Sequence, residues 1–214
     1  MRSLARPAAS GCTAPIRIVC LPGAYQAPED FLSAGFDARI SERGLPIDLW
    51  LVDAEMRHLG DRRFMEELKR EIVTPARALG CRSVWITGIS LGGFMALDYA
   101  ALNPGDLHGV CLLSPYLGNR MLLAEIAGAP DLAAWNPGQL AEIDEERRIW
   151  RFIQGQRGQV RHFHLGYGRE DRFAEAHRLL ARELPPSAVD VVPGGHDWRT
   201  WTKLWENFLD STFT

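Results

Sequence analysis

Apolar positions along this chain come in two patterns. Short unbroken runs, rich in β-branched and aliphatic residues, cover 16–21, 47–53, 84–87, 108–114, 160–166 and 188–193. Their length and continuity predict strands buried on both faces. Between them, apolar residues recur every three or four positions. Phe64, Leu68, Ile72, Ala76 and Leu79 form one such stripe, which predicts an amphipathic helix over 63–79 with a kink at Pro75 and a stop at Gly80. Residues 31–43 read as an earlier helix, with Glu29 and Asp30 at its start and Gly44 at its end. Helices are also predicted over 94–102, 173–184 and 198–208.

The elements alternate strand, helix, strand from residue 16 onward. That order predicts an α/β fold, with a mostly parallel central sheet and helices on both faces. Residues 116–158 interrupt the alternation with two helical stretches, 119–127 and 137–154, around a Gly/Pro-containing turn. They read as a small helical insertion over the C-terminal edge of the sheet, where a lid or pocket wall sits. Residues 1–15 read as a disordered leader and 16–214 as one domain, the amount of core that 214 residues support.

The predicted strand at 84–87 ends in Gly88-Ile89-Ser90-Leu91-Gly92 and passes straight into a helix. A Gly-x-Ser-x-Gly turn between a strand and a helix holds its serine in a strained backbone and lifts the hydroxyl clear of the sheet. The amide of Leu91, in the first helical turn, is left free for a developing oxyanion. A serine hydroxyl needs a base in hydrogen-bond reach, and the base needs an anion to fix its tautomer. Two later strand-end loops hold such groups: Gly168-Arg169-Glu170-Asp171-Arg172 and Gly194-Gly195-His196-Asp197. In a doubly wound sheet these loops gather at one edge.

Together with Leu21-Pro22-Gly23-Ala24-Tyr25, these pieces resemble the α/β-hydrolase superfamily over about residues 16–208, in compact esterase form. The Gly-Gly-His-Asp-Trp piece is similar to bacterial esterases of the esterase D group. The resemblance implies Ser90 as nucleophile, His196 as general base and Asp171 as its orienting acid. It also implies oxyanion donors at Leu91 and at Ala24, with Tyr25 as the alternative; Pro22-Gly23 stands where many relatives have His-Gly. The implied reaction is cleavage of a carboxylic ester in a small molecule, through an acyl-enzyme. A thioesterase, a lipase-like acylhydrolase or an acyltransferase would use the same three residues. The fold also serves non-catalytic small-molecule receptors, which as a rule lose one of them.

Composition narrows the partners. With 46% hydrophobic and 24% charged residues and a net charge of −3, the chain gives no reason to expect nucleic acid or an anionic membrane. No apolar run approaches a membrane span. Cys20 and Cys111 lie inside apolar runs and read as small buried hydrophobes, without a disulfide framework. The expected location is cytoplasmic; Ala9-Ser10-Gly11-Cys12 has the look of a lipoprotein cleavage box, so a lipid anchor at Cys12 is the alternative if the true start lies upstream. No cofactor is implied: no Gly-x-Gly-x-x-G follows the first strand and no metal spacing is present. His162 and His164 share a strand face and read as packing. Asp197 reads as a helix cap; Asp171, otherwise a surface acid of its loop, is preferred over adjacent Glu170 for its place after the penultimate strand and its spacing to His196. The oligomeric state is left open, a homodimer among the options.

Overall fold

The computed structural model describes residues 1–8, 14–139, 144–155 and 157–214. Seven strands form one sheet in the order β1-β3-β2-β4-β5-β6-β7. They are β1 (Ser3–Arg6), β2 (Ile16–Leu21), β3 (Ile47–Val52), β4 (Ser83–Ile89), β5 (Gly109–Leu113), β6 (His162–Gly168) and β7 (Val189–Val192). All neighbours run parallel except the edge strand β1, which pairs antiparallel with β3 from Ser3 opposite Val52 to Arg6 opposite Leu49. The chain moves outward from β2 to β3, crosses back to β4 and then proceeds to β7. The strand order therefore reverses between β2 and β4, which opens a crevice above their C-terminal ends.

The helices are α1 (Pro28–Ser33), α2 (Phe36–Glu42), α3 (Arg62–Leu68), α4 (Thr74–Ala78), α5 (Leu91–Leu102), α6 (Arg120–Gly128), α7 (Glu145–Gly155), α8 (Ala174–Ala181) and α9 (Trp198–Phe213). They divide between the two sheet faces, as the two buried clusters record. One cluster packs α3, α5, α7 and α8 through residues such as Leu68, Tyr99, Trp150 and Leu180. The other packs α1, α2 and α9 through Phe31, Phe36, Trp205 and Phe208. Burying one such large apolar side chain contributes about 1.5–3 kcal/mol. These side chains therefore hold the strand ends rigidly below the crevice.

Several elements depart from the sequence reading. The leader was expected to be disordered through residue 15, yet Ser3–Arg6 forms β1 on the open edge of β3. Edge pairing needs only backbone groups, so it leaves little mark on side-chain pattern. Residues 9–13, including Cys12 and its suggested lipid anchor, lie outside the described residues. The helix expected over 31–43 is split into α1 and α2 at Gly35, whose φ of 75° ends one helix and caps the next. The helix expected over 63–79 is interrupted just before Pro75 by a π-helical turn over Lys69–Val73, which joins α3 to α4. The wider turn accommodates a residue that cannot donate to the helix ladder.

The helix expected over 137–154 is Glu145–Gly155, with residues 140–143 outside the described set. It packs firmly rather than hanging over the sheet. Buried Asp98 of α5 pairs with Arg148 at 2.6 Å, and Trp150 Nε1 donates to Leu117 O at 2.7 Å. Among the described residues, no helix is long and apolar enough to cross a membrane. Cys20 and Cys111 are fully buried in β2 and β5.

Two histidines make the fold sensitive to acid. His164 in β6 and His177 in α8 are buried, and that burial pushes each imidazole down from 6.5 to about 4. His177 Nε2 sits 2.9 Å from Pro115 O, tying α8 to the loop after β5. In the unfolded chain both groups take up a proton near pH 6.5. The unfolded state therefore binds more protons between pH 6.5 and about 4. Stability is complete above this window and falls as pH drops through it. His177→Gln, which can keep the bond to Pro115, is expected to flatten this acid limb by on the order of 2 kcal/mol in urea melts between pH 7 and pH 4. An unchanged slope would refute the assignment.

Candidate active site

Three side chains converge over the crevice. β4 ends at Ile89, and Ser90 follows with φ 51° and ψ −112° before α5 begins at Leu91. Such a conformation is sterically costly for a residue with a Cβ. Backbone bonds on both sides hold it. Ser90 N donates to Leu113 O at 3.1 Å, and Ser90 O accepts from Tyr116 N at 2.8 Å and Gly93 N at 3.0 Å. The flanking glycines are steric necessities. A Cβ on Gly88 would overlap the backbone of Gly92 and Gly93, and one on Gly92 would overlap the carbonyls of Leu21 and Pro22. The turn is thus as tight as its pentapeptide predicts, and α5 starts directly against the end of β2.

Ser90 Oγ lies 2.9 Å from His196 Nε2, and His196 Nδ1 lies 2.9 Å from Asp171 Oδ2. The structure thus brings together the serine, histidine and acid expected from sequence. Aromatic edges fix the imidazole ring, with Phe173 at 5.2 Å and Trp201 at 5.0 Å between centroids. Asp171 follows β6, its side chain wholly buried. Burial alone would raise its pKa. Hydrogen bonds from His196 and from the Phe173 amide outweigh this and hold the carboxyl below its usual range. Asp171 Oδ1 accepts that Phe173 N–H at 2.8 Å. The carboxylate therefore stays ionised and acceptor-only toward Nδ1, which leaves Nε2 as the lone-pair nitrogen facing Ser90.

The Glu170 and Asp197 side chains take hydrogen-bond partners other than the imidazole. Glu170 Oε2 accepts from Gly194 N at 2.6 Å, and Glu170 N donates to Gly194 O at 3.0 Å. Glu170, adjacent to the preferred acid, clamps the acid loop to the histidine loop. Nothing local in the sequence signals this, because its partner is a glycine backbone on the next strand-end loop. Asp197 caps α9, its Oδ1 accepting from Thr200 N at 2.9 Å. His162 stacks on Trp85 at 5.7 Å, and among the described residues no His, Cys, Asp and Glu group could hold a metal.

The loop after β2 faces Ser90. Gln26 folds back so that its Oε1 accepts from Gly23 N at 2.8 Å while its own amide donates to Gly23 O at 3.2 Å. That bond occupies the Gly23 amide. The Ala24 and Tyr25 amides donate to no acceptor among the described residues. Tyr25 has φ 61° and a side chain almost wholly in solvent. Leu91 N–H, at the first position of α5, lies beyond the helix's own ladder. One edge of the crevice therefore presents unpaired amides beside a hydroxyl that is hydrogen-bonded to an imidazole.

The model of the Alpha/beta hydrolase family matches residues 18–211. No curated protein sequence matches the chain. Solved structures share the fold at low identity. Est1E from Butyrivibrio proteoclasticus is 17% identical, with a TM-score of 0.67, over 99% of this chain and 94% of that one. The fluorophosphonate-binding serine hydrolase FphF from Staphylococcus aureus is 13% identical, with a TM-score of 0.65, over 94% and 84%. The S-formylglutathione hydrolase FrmB from the same organism is 11% identical, with a TM-score of 0.62, over 93% and 81%.

The contact between α5 and β2 can be tested without any substrate. Gly92→Ala is expected to lower stability by about 1–3 kcal/mol or more, since backbone carbonyls of β2 would have to move. Gly105→Ala, where the added Cβ meets nothing within 4 Å, serves as control and is expected to leave stability within about 0.5 kcal/mol. Equal melting profiles for the two variants would show that β2 and α5 do not approach as described.

Proposed function

The chain belongs to the alpha/beta hydrolase family, and on that premise we propose that it is a serine hydrolase cleaving carboxylic esters through an acyl-enzyme on Ser90. The observation that carries this reading is the unbroken relay from Ser90 Oγ through His196 to the buried Asp171, each link 2.9 Å long.

In the proposed reaction, Ser90 Oγ attacks the acyl carbon while His196 Nε2 takes the hydroxyl proton. Asp171 stabilises the resulting imidazolium and keeps the ring oriented; it remains ionised throughout. The carbonyl oxygen becomes an oxyanion bound by the amide of Leu91 and by that of Ala24 or, alternatively, Tyr25. The tetrahedral intermediate collapses as His196 returns its proton to the leaving alcohol oxygen. Water then attacks the acyl-enzyme, giving its proton to His196 and its oxygen to the departing acid. Ser90 regains its hydrogen from the imidazolium. The same steps accept a thioester, because the residues around Ser90 determine the acyl chemistry and leave the departing group to the surrounding walls.

Turnover of a short-chain aryl ester tests the assignment. Ser90→Ala is expected to lower kcat by roughly 10³-fold or more, and Asp171→Asn by about 10²–10⁴-fold, since an amide in that position favours the wrong imidazole tautomer. Wild-type turnover by Ser90→Ala would exclude Ser90 as nucleophile. Wild-type turnover by Asp171→Asn would exclude Asp171 as the orienting acid.

A further inference from the structure

A groove of about 880 Å³ runs between α6 and α8 and shares walls with the site just described. Tyr116 and Phe173 line its inner end. Tyr116 N donates to Ser90 O at 2.8 Å, the Tyr116 and Phe173 rings meet edge to face at 6.1 Å, and Phe173 packs against His196. The groove thus adjoins the Ser90–His196 pair across Tyr116 and Phe173. Its inner wall is rigid: the Tyr116 hydroxyl donates to Glu146 at 2.8 Å, and the same carboxylate takes the Asn119 amide at 3.0 Å. Glu146 is consequently committed to the wall.

The floor is apolar, formed by Leu123, Ala124 and Ala127 of α6 and by Ala176 and Leu179 of α8. The sides are strongly basic. Arg120, Arg172, Arg178 and Arg182 all line the groove, against the single carboxylate of Glu175. Among the described residues none of these arginines has a carboxylate within 4.0 Å, as is also true of exposed Arg63, Arg151 and Arg199. Arg172 lies over the Phe173 ring at 4.9 Å, placing its charge at the inner end. Four guanidinium groups lining one apolar channel give it a positive charge that favours an anion. Guanidinium forks suit carboxylate or phosphate oxygens.

We propose that this groove selects esters that carry an anionic group at the far end of an apolar chain, the chain lying on the Leu123–Ala176 floor and the anion among Arg120, Arg178 and Arg182. The inference names a substrate class for the site and rests on the serine hydrolase reading. Arg178 of α8 and Arg182 at its C-cap are exposed, whereas Ala174, Ala176, His177 and Leu180 are buried.

Binding to the Ser90→Ala variant, measured by calorimetry, separates the inference from turnover. Monomethyl adipate carries the anion on the acyl side and δ-acetoxyvalerate on the alcohol side; methyl hexanoate and pentyl acetate are their neutral counterparts. At least one anionic ester is expected to bind about tenfold more tightly than its counterpart, and which one does identifies the half that occupies the groove. Arg178→Gln and Arg182→Gln, both exposed positions, are each expected to reduce that preference roughly threefold, and added salt to weaken it further. No preference for either anion, or a preference that survives both substitutions, overturns the inference. Preferential binding in a protein whose wild type hydrolyses no ester would leave the groove assignment standing and remove the hydrolase reading. Hydrolysis without preferential binding would do the reverse.

Discussion

The backbone of Ser90 is the constraint on which the site depends. A residue with a Cβ held at φ 51° and ψ −112° stores about 1–3 kcal/mol that its surroundings must offset. The offset comes from three directions: β5 through Leu113, the following loop through Tyr116, and the α5 turn through Gly93. Tyr25 and Ser114 also have positive φ, and both follow strand ends at the same edge of the sheet. Strain in non-glycine residues is thus concentrated, among the described residues, where β2, β4 and β5 finish. The two packed faces below make this possible, because buried aromatics such as Trp205 and Tyr99 leave the strand ends little room to relax.

Electrostatics then divides the work between neighbouring acids. Asp171 and Glu170 are adjacent in sequence but face different partners. Asp171 is buried against the imidazole and held ionised by an amide and by the ring itself. Glu170 is turned to the Gly194 amide and fixes the distance between the two loops. Loss of the first would alter the tautomer of His196. Loss of the second would alter where His196 stands. Further out, α7 is locked to α5 by Asp98 and Arg148, so the part of the 116–158 segment that faces the groove is chiefly α6.

The central sheet, the serine turn and the order of serine, acid and histidine were legible in the sequence because each is written locally. A buried parallel strand is a continuous apolar run, and the tight turn after β4 needs glycine at 88 and 92 for steric reasons visible in the pentapeptide. What was illegible depends on partners distant in the chain. β1 pairs with β3 by its backbone, and its Leu4 and Arg6 side chains find partners far along the chain. The split at Gly35 and the π-helical turn before Pro75 are outcomes of packing that the apolar period does not encode. The Glu170 clamp pairs with a glycine amide, and the arginine-lined groove exists only because α6 and α8, some fifty residues apart in the chain, lie side by side.

The central claim is that Ser90 is chemically activated by His196 in the folded protein. Treatment of the wild type and of His196→Ala with a fluorophosphonate, followed by intact mass and peptide mapping, tests it most directly. A single phosphonyl adduct on Ser90 in the wild type, absent in His196→Ala, is the predicted result. A folded wild type that takes no adduct, or one labelled equally well without His196, would contradict the account.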